Sequence, residues 1–428
     1  MDANRSDEGR SVHHHGSASR RVLVIGGGIA GFAMLRALDQ RGIAAVLVER
    51  LNGPPDAGLG LNLPGNAVRA LRDLGVGNAL KQRGRPILRR EYRNARGRLL
   101  FTVDEAGFWG PDAGSLCAFR GDVVELLRSG LAASAVRWET TVTGLSEDGR
   151  HVEVALRDTD PESYDFVVAA DGVHSGIRTS IFGSGGQRAA LLSATGWRFV
   201  TANPGVDCWS VWSGAAGTFL MIPVDAERVY GWASATKGGA AGAEPQWLWS
   251  TFADCPEPVT SALLSLRAEP ASLYYSRVEE IRLDRWHHGR VVLIGDAAHA
   301  TAPIWAQGAA LAAEDALVLA DLLAGREDWA TVGREFEARR RPRVEHVQKD
   351  DRSDVAERGT PGVVARCDPA RGGAADLPRD LRSVARTSLA WSMVRMTRLR
   401  LPGGSLPVDR KDRCDSSRMS RGPRCHDQ

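Results

Sequence analysis

The hydrophobic positions near the start of the chain follow two different periods. Arg21–Ile25 reads RVLVI, a β-branched run that stops at a glycine cluster and predicts a short buried strand. Apolar residues at helical spacing come next, at Ile29, Phe32, Ala33, Leu35 and Leu38. After Gly42, Ala45–Val48 predicts a second buried strand. This order of strand, helix and strand predicts a βαβ unit that opens a doubly wound parallel sheet.

Two later strand-like runs also end at turns that contain glycine and aspartate. Phe166–Ala170 ends at an Asp-Gly pair, 171–172, and Val291–Ile294 ends at a Gly-Asp pair, 295–296. The alanine- and leucine-rich stretch Ala309–Ala324 follows with a helical pattern. Because the three turns lie far apart in the sequence, we expect a discontinuous nucleotide-binding domain.

The region between these runs has a different pattern. Six of the twelve tryptophans lie between residues 197 and 249. Alternating residues predict strands of an antiparallel sheet at Trp197–Val200, Cys208–Val211, Thr218–Ile222 and Val229–Ala233. Further along the chain, Phe336–Val347 predicts a charged helix.

Composition narrows the classes of function. A chain of 428 residues is longer than one domain usually needs, and its 43% hydrophobic and 25% charged residues are typical of a soluble globular protein. The net charge of +3 gives no argument for binding to nucleic acid or to an anionic membrane. No apolar run reaches the roughly 18 residues of a transmembrane helix.

The chain ends and the cysteines indicate a cytoplasmic protein. The first 19 residues are polar and lack the apolar stretch of a signal peptide. Three adjacent histidines, 13–15, form no fixed ligand geometry, so we expect a disordered leader there and no metal site in the protein. The six cysteines are scattered and form no CxxC pair, which favours reduced thiols.

Gly26, Gly28 and Gly31 form a GxGxxG fingerprint between the first strand and the first helix. The first glycine permits a tight turn, the second lets a pyrophosphate approach the backbone, and the third lets the helix pack against the strand. Glu49 closes the second strand roughly 20 residues on, where a carboxylate can bond a ribose hydroxyl. The fingerprint predicts a dinucleotide site, and by itself it fits both FAD and NAD.

Four further segments resemble signatures of one flavoprotein family. YDFVVAADGVHSGIRTSIFG (Tyr164–Gly183) and GRVVLIGDAAHATAPIWAQGAALAAEDALVLADLL (Gly289–Leu323) resemble those of the para-hydroxybenzoate hydroxylase family, the group A FAD-dependent monooxygenases. LGLNLPGNAVRALRDLGV (Leu59–Val76) and FRGDVVELL (Phe119–Leu127) are similar to the family in the same order. The resemblance spans about 20–345. It implies an α/β fold with a glutathione-reductase-like FAD-binding Rossmann domain, an inserted antiparallel-sheet substrate domain and C-terminal helices.

This resemblance suggests a division of the chain. The FAD-binding domain is expected to comprise 20–80, 117–188 and 277–330, and the substrate domain 81–116 and 189–276. A C-terminal helical region is expected at 331–402. A disordered leader and a disordered tail are expected at 1–19 and 403–428.

The resemblance also implies roles for individual residues. Asp171 and Gly172 match a motif implicated in FAD and NAD(P)H binding, Arg120 matches the arginine beside the adenosine and pyrophosphate end, and Asp296 matches the aspartate that bonds the ribityl chain. Aspartate next to glycine is also common in ordinary turns, which is the alternative explanation for each turn alone. The full set expected at the cofactor is Gly26, Gly28, Gly31, Glu49, Arg50, Arg120, Asp171, Gly172, Asp296, Pro303, Gln307 and Gly308.

The segment Pro303–Gly308 precedes a helix whose N-terminus can stabilise the negative charge of a reduced flavin. Family members often carry two glycines before Gln-Gly, whereas this chain has Trp305 and Ala306 there. It also has Ala310 where a polar residue is common. We expect these departures from the family pattern to affect the positioning and mobility of the flavin, and not the binding of FAD.

Large apolar residues are candidates for the wall of the substrate pocket. They are Trp212, Met221, Trp232 and Trp305. The alternative for each is an ordinary core position. The sequence indicates no obligatory catalytic acid or base.

The resemblance implies a monooxygenase that uses FAD, O2 and transiently bound NAD(P)H to hydroxylate or epoxidise a small aromatic or polyketide-like substrate through a flavin C4a-hydroperoxide. Two alternatives stay open: an FAD-containing cyclase or isomerase without net redox turnover, and a non-enzymatic FAD-binding scaffold. We expect a monomer or homodimer with no nucleic-acid or membrane partner.

Overall fold

The computed structural model describes residues 20–54, 58–183, 187–215, 217–235, 244–303 and 306–358, all of which belong to one unit, 1–377. The side chains of 187–195, 235 and 349–358 are outside the description. The expected leader at 1–19, the tail at 403–428 and the candidate Trp305 also lie outside the described residues.

The described strands and helices occur in mixed order along the chain. The strands are β1 (Arg21–Ile25), β2 (Ala44–Val48), β3 (Gly60–Leu63), β4 (Arg85–Pro86), β5 (Arg89–Asn94), β6 (Leu99–Asp104), β7 (Leu116–Phe119), β8 (Val136–Arg137), β9 (Val142–Glu147), β10 (Val152–Leu156), β11 (Glu162–Tyr164), β12 (Phe166–Ala169), β13 (Gln187–Ala202), β14 (Trp209–Ser213), β15 (Gly217–Pro223), β16 (Arg228–Ala235), β17 (Leu273–Leu283), β18 (His287–His288) and β19 (Val291–Leu293). The helices are α1 (Ile29–Asp39), α2 (Gly65–Asp73), α3 (Gly77–Arg83), α4 (Glu105–Trp109), α5 (Arg120–Arg128), α6 (Gly176–Phe182), α7 (Pro245–Thr251), α8 (Val259–Ala268), α9 (Asp296–His299), α10 (Gly308–Ala324) and α11 (Val332–Arg358).

A six-stranded sheet has the order β18-β19-β12-β1-β2-β8, and all of its neighbouring pairs are parallel except β18–β19. The three apolar runs predicted from the sequence thus lie side by side as β19, β12 and β1. Apart from Arg21, their side chains are buried; α1 packs on β1 and β2, and α10 packs against α1. This arrangement confirms the predicted parallel Rossmann-type sheet built from distant segments.

A seven-stranded sheet has the order β17-β13-β16-β15-β14-β5-β6. Its pairs are antiparallel, as the alternation predicts, except that β5 runs parallel to β14. The exception arises because β5 comes from a much earlier segment and joins the sheet beside β14. The division into domains by residue number stays a prediction.

The charged helix α11 is longer at both ends than the predicted Phe336–Val347, and it contains Pro342. The residues of its C-terminal extension are mostly charged and polar, so hydrophobic periodicity underestimates its length. Two three-stranded sheets, β11-β10-β9 and β3-β7-β4, complete the described strands. Among the described residues, no helix combines the length and apolar character needed to cross a membrane.

Candidate functional site

The turn after β1 depends on two glycines that no larger residue could replace without displacement of the backbone. Gly26 has φ +109°, and a Cβ there would lie 2.5 Å from the carbonyl oxygen of Ala170. A Cβ on Gly31 would overlap the carbonyl oxygen of Gly26. The two glycines therefore let α1 start close to the sheet, with its first amide groups facing the strand ends.

The middle glycine of the fingerprint faces more open space. Within the described part of the chain, a Cβ on Gly28 would have Nη2 of Arg120 as its neighbour, at 3.8 Å. Arg120 begins α5, and its backbone amide donates to the carbonyl of Leu59 at 2.8 Å. A guanidinium thus stands beside the helix N-terminus, and both features favour a pyrophosphate at this position.

Glu49 is buried at the end of β2 and binds backbone amides. Its Oε2 accepts from the amide of Gly27 at 2.6 Å, and its Oε1 accepts from the amide of Leu51 at 2.9 Å. Each oxygen keeps a second lone pair, so the predicted ribose contact remains compatible with this geometry. Arg50, the next residue, is exposed.

The Asp-Gly turn follows β12, directly beside β1. Asp171 Oδ2 accepts from the amide of Ile177 at 3.1 Å, whereas its buried Oδ1 has no partner among the described residues. Gly172 has φ +83°, which favours glycine. A buried carboxylate oxygen without a partner is costly, so this position suits a ligand that donates a hydrogen bond.

Arg178 connects this turn with the turn after β19. It is 3% exposed and donates to the carbonyl oxygens of Val173 at 2.6 Å and Ala297 at 2.9 Å. Desolvation lowers its pKa, and Asp171 acts in the opposite direction. Arg178 lies in the motif that contains Asp171, but its buried position between the two turns is not evident from the sequence.

Asp296 is the first residue of α9 and faces the start of α10. Its Oδ1 lies 3.8 Å from the position that a Cβ on Gly308 would occupy. The carboxylate is accessible to solvent, yet desolvation by the surrounding protein raises its pKa, against the attraction of His299, Arg198 and Arg120. The carboxylate is therefore placed to accept hydrogen bonds from a bound cofactor.

Asp315 on α10 supports the turn before Asp296, a role that the sequence pattern does not indicate. Its Oδ2 accepts from the amide of Gly295 at 3.0 Å and lies 2.7 Å from Nε2 of His299. Burial acts to raise its pKa, but His299 and Arg340 outweigh burial and hold the pKa at about 2. His299 is buried, and its ring packs against the ring of Trp286. These surroundings favour a structural role for His299.

The segment before α10 is fixed by polar contacts that the sequence did not suggest. Gln307 is buried, and its Oε1 accepts from Asn66 on α2 and from Arg343 on α11, each at 3.0 Å. Its side-chain oxygen thus binds protein donors, and a contact between Gln307 and the cofactor stays a prediction. Ala306 has φ +54°, the left-handed region that suits the glycine found in the resembled family. Pro303 is half-buried beside Ala302.

The seven-stranded sheet separates the aromatic candidates onto two faces. Trp212 and Met221 lie in the hydrophobic core on the face covered by α7 and α8, with Leu248 and Phe252. They are core residues of that side, which corrects their expected place in the pocket wall. Trp232 lies on the opposite face and packs with Ala302, just before Pro303.

We name this opposite surface the FAD-side face and define it by Arg198, Leu220, Tyr230, Trp232 and Ser276. Cross-strand register places them together, because Arg198 pairs with Trp232 and Trp232 pairs with Leu220. Neighbouring residues on a strand point to opposite faces, so Trp212 and Trp232 lie on opposite faces of the sheet. Strand alternation could have separated them once the register between strands was known.

These residues fit FAD. The ends of adjacent strands are joined by hydrogen bonds. The amide of Gly26 donates to the carbonyl oxygen of Val48 at 2.9 Å, and the amides of Ala170 and Ile294 donate to carbonyl oxygens of neighbouring strands at 2.8 and 3.0 Å. The open backbone at Gly28, the unpartnered Oδ1 of Asp171 and the carboxylate of Asp296 therefore lie along one edge of the sheet. That edge is where open α/β sheets bind dinucleotides.

Comparisons with known proteins agree with this geometry. The model of a family described as FAD binding domain matches residues 19–350. The 2-heptyl-3-hydroxy-4(1H)-quinolone synthase of Pseudomonas aeruginosa is 31% identical over 338 residues, which cover 77% of this chain and 87% of that protein. The FAD-dependent urate hydroxylase of Klebsiella pneumoniae subsp. pneumoniae is 29% identical over 335 residues, covering 76% and 86%.

Solved structures share the fold. Klebsiella pneumoniae HpxO in complex with FAD and uric acid superposes with a TM-score of 0.73 at 24% identity, covering 89% of this chain and 93% of that one. The tetracycline destructase Tet(51) gives a TM-score of 0.68 at 20% identity, covering 90% and 100%.

Proposed function

Because the chain belongs to the FAD-binding domain family of FAD-dependent monooxygenases, we propose that it uses NAD(P)H and O2 to hydroxylate or epoxidise a small aromatic or polyketide-like substrate. The quinolone and urate enzymes among its relatives carry planar ring compounds in their names. For this chain we propose the same class of substrate, a planar ring compound, and we assign neither of the two named compounds to it.

One observation carries the proposal: the FAD-side face and the cofactor edge of the parallel sheet adjoin at one place. Trp232 on the sheet packs with Ala302, and Ala302 lies six residues after Asp296. A ring compound on the FAD-side face would therefore lie beside the segment that leads into α10. This juxtaposition of a cofactor edge with an aromatic wall supports reaction on a bound substrate.

Each part of the chain has a task in this proposal. The backbone at Gly28 with Arg120 would bind the pyrophosphate, Asp171 and Asp296 would bind hydroxyl groups of the cofactor, and α10 would direct its N-terminus at the flavin. When bound, FAD would supply the redox chemistry that couples oxidation of NAD(P)H to activation of O2. Leu220, Trp232 and Ala302 would orient the substrate and exclude water.

Two assays on FAD-reconstituted protein test the proposal. Substrate-dependent NADH or NADPH oxidation in air, with incorporation of one atom from isotope-labelled O2 into the product, is the expected result. Release of FMN instead of FAD, or no flavin retention, would refute the cofactor assignment. Product that forms without nicotinamide oxidation and without label would replace the monooxygenase with the cyclase or isomerase.

A further inference from the structure

The side chain at the start of α10 is bound by two other helices. Gln307 is the N-cap residue of α10, and its side chain makes no hydrogen bond to the first turn of that helix. Its Oε1 accepts instead from Nδ2 of Asn66 on α2 and from Nη2 of Arg343 on α11, each at 3.0 Å. Gln307 is 3% exposed, so these contacts lie in the interior and hold its side-chain amide in one orientation.

A buried carboxylate completes this set of contacts. Glu314, also on α10, accepts from Nδ2 of Asn66 at 2.9 Å and lies 3.4 Å from Nε of Arg343. Burial acts to raise the pKa of Glu314, but Arg340 and Arg343 outweigh burial and lower it, so the carboxylate stays charged. Glu314 therefore orients the two groups that bind Gln307. We call Asn66, Glu314 and Arg343 the N-cap clamp.

The turn that the clamp holds is strained and leads to open amide groups. Ala306, next to Gln307, has φ +54°, a conformation that a residue with a Cβ keeps only where neighbouring contacts impose it. Among the described residues, the amides of 308–310 have no hydrogen-bond acceptor. Oδ1 of Asp296 lies 3.8 Å from the Cβ position of Gly308, so these amides begin at the cofactor edge.

The clamp occupies the oxygen that would otherwise compete for these amides. At many helix starts, an oxygen of the N-cap side chain accepts from the second or third amide of the helix and satisfies it. Here Oε1 of Gln307 is bound by Asn66 and Arg343, so the amides are available to a ligand. Free amides at a helix N-terminus attract negative charge. Because a flavin gains negative charge on reduction, they would bind reduced FAD more tightly than oxidised FAD.

We propose that the N-cap clamp positions Gln307 so that the first amides of α10 stay free and directed at the flavin, which raises the reduction potential of bound FAD. The inference rests on the proposed function for the location of FAD at this edge. It adds Asn66 and Arg343 as positioning residues that act through Gln307, and neither is required to touch the cofactor.

The midpoint potential of the FAD-loaded protein tests the proposal, measured by equilibration with a reference dye and accompanied by FAD titration of the apoprotein. Arg343→Met and Asn66→Ala should each weaken the binding of reduced FAD relative to oxidised FAD roughly 3- to 10-fold. This change lowers the potential by about 15–30 mV. Glu314 keeps Arg340 as a partner at 2.9 Å in the Arg343→Met protein, so we expect this variant to fold.

A double-mutant cycle distinguishes positioning from a direct effect of charge on the flavin. Gln307→Met removes the acceptor that the clamp holds, and it should lower the potential by a similar amount. Arg343→Met should then cause no further change in the Gln307→Met protein. Arg343→Lys keeps the charge without the fork of N–H groups and should lower the potential almost as much as Arg343→Met. Arg339→Met removes an equal charge from an exposed site on α11 and should leave the potential unchanged.

Two results would overturn the inference alone. In the first, Arg343→Met and Asn66→Ala keep the wild-type potential even if they unfold at lower denaturant concentration, which would show that the clamp serves the fold and not the flavin. In the second, Arg343→Met lowers the potential equally in the presence and absence of Gln307, which would show that its charge acts directly. A wild-type protein that binds no FAD overturns the proposed function together with the inference.

Discussion

Arg340 on α11 donates from Nε to Oδ1 of Asp315 on α10 at 2.7 Å, and both side chains are buried. The other carboxylate oxygen of Asp315 accepts the amide of Gly295. Arg340 therefore acts on the turn that precedes Asp296 through one intervening side chain. A helix remote from the fingerprint in sequence thus supports the cofactor edge.

Replacement of Arg340 should damage both stability and FAD binding. Arg340→Met leaves Asp315 partly unpaired in the interior, and such losses cost about 3–5 kcal/mol of unfolding free energy. Chemical denaturation and FAD titration measure the two effects. Arg339→Met is the matched control, since Arg339 is exposed on the same helix and should change neither quantity. If the two variants have the same unfolding free energy and the same FAD affinity, Arg340 does not support the cofactor edge.

Acid should weaken the fold through Asp315. Its native pKa of about 2 lies below the ordinary aspartate value, so the carboxylate stabilises the fold above about pH 4 and loses this contribution as pH falls toward 2. The contribution is on the order of 2 kcal/mol. Urea unfolding measured across this pH range should show a smaller pH dependence in Asp315→Asn than in Asp321→Asn, a change at an exposed site. If the two variants show the same pH dependence, Asp315 does not cause the loss of stability in acid.

Asp296→Ala should lower FAD affinity without destabilising the apoprotein. The change removes a charge-assisted contact worth about 1.5–3 kcal/mol, which is roughly tenfold or more in the dissociation constant. The apoprotein should be unaffected or slightly more stable near neutral pH, because the fold raises the pKa of Asp296 and so disfavours its charged form. Flavin titration and thermal unfolding measure the two quantities, with Asp321→Ala as control. Unchanged FAD affinity would refute the assignment.

Ala306→Gly should stabilise the protein by about 1 kcal/mol. Ala306 has φ +54°, where a Cβ is strained and glycine is not. The same substitution at Ala309, in the first turn of α10, should instead destabilise by up to about 1 kcal/mol, because glycine is a poor helix former. Denaturant midpoints compare the two variants. A loss of stability in both would show that the backbone at residue 306 carries no such strain.

The sequence predicts the cofactor edge because its determinants are local. Each of the strands β1, β12 and β19 is a short apolar run, and each is followed by glycine or aspartate where the chain must turn. Spacing within the first segment singles out Gly26, whereas the predictions for Asp171 and Asp296 come from the resemblance of their segments to one family. The family comparison then identifies the ligand as FAD.

Contacts between distant segments could not be predicted in this way. Nothing near Gln307 indicates that Asn66 and Arg343 will bind it, since the two lie on other helices. The faces of Trp212 and Trp232 depend on register between strands, which the tryptophan content does not reveal. Pairing of β5 with β14 likewise joins segments that are far apart in the chain.

The bond between Arg340 and Asp315 also sets an order of events during synthesis. A ribosome releases the fingerprint, the Asp-Gly turn and the Gly-Asp turn well before it releases α11. Until then the turn at Gly295 lacks the buried cation that neutralises Asp315. A nascent chain that has not yet released Arg340 therefore lacks this support, and we expect it to bind FAD more weakly than a chain in which α11 has folded.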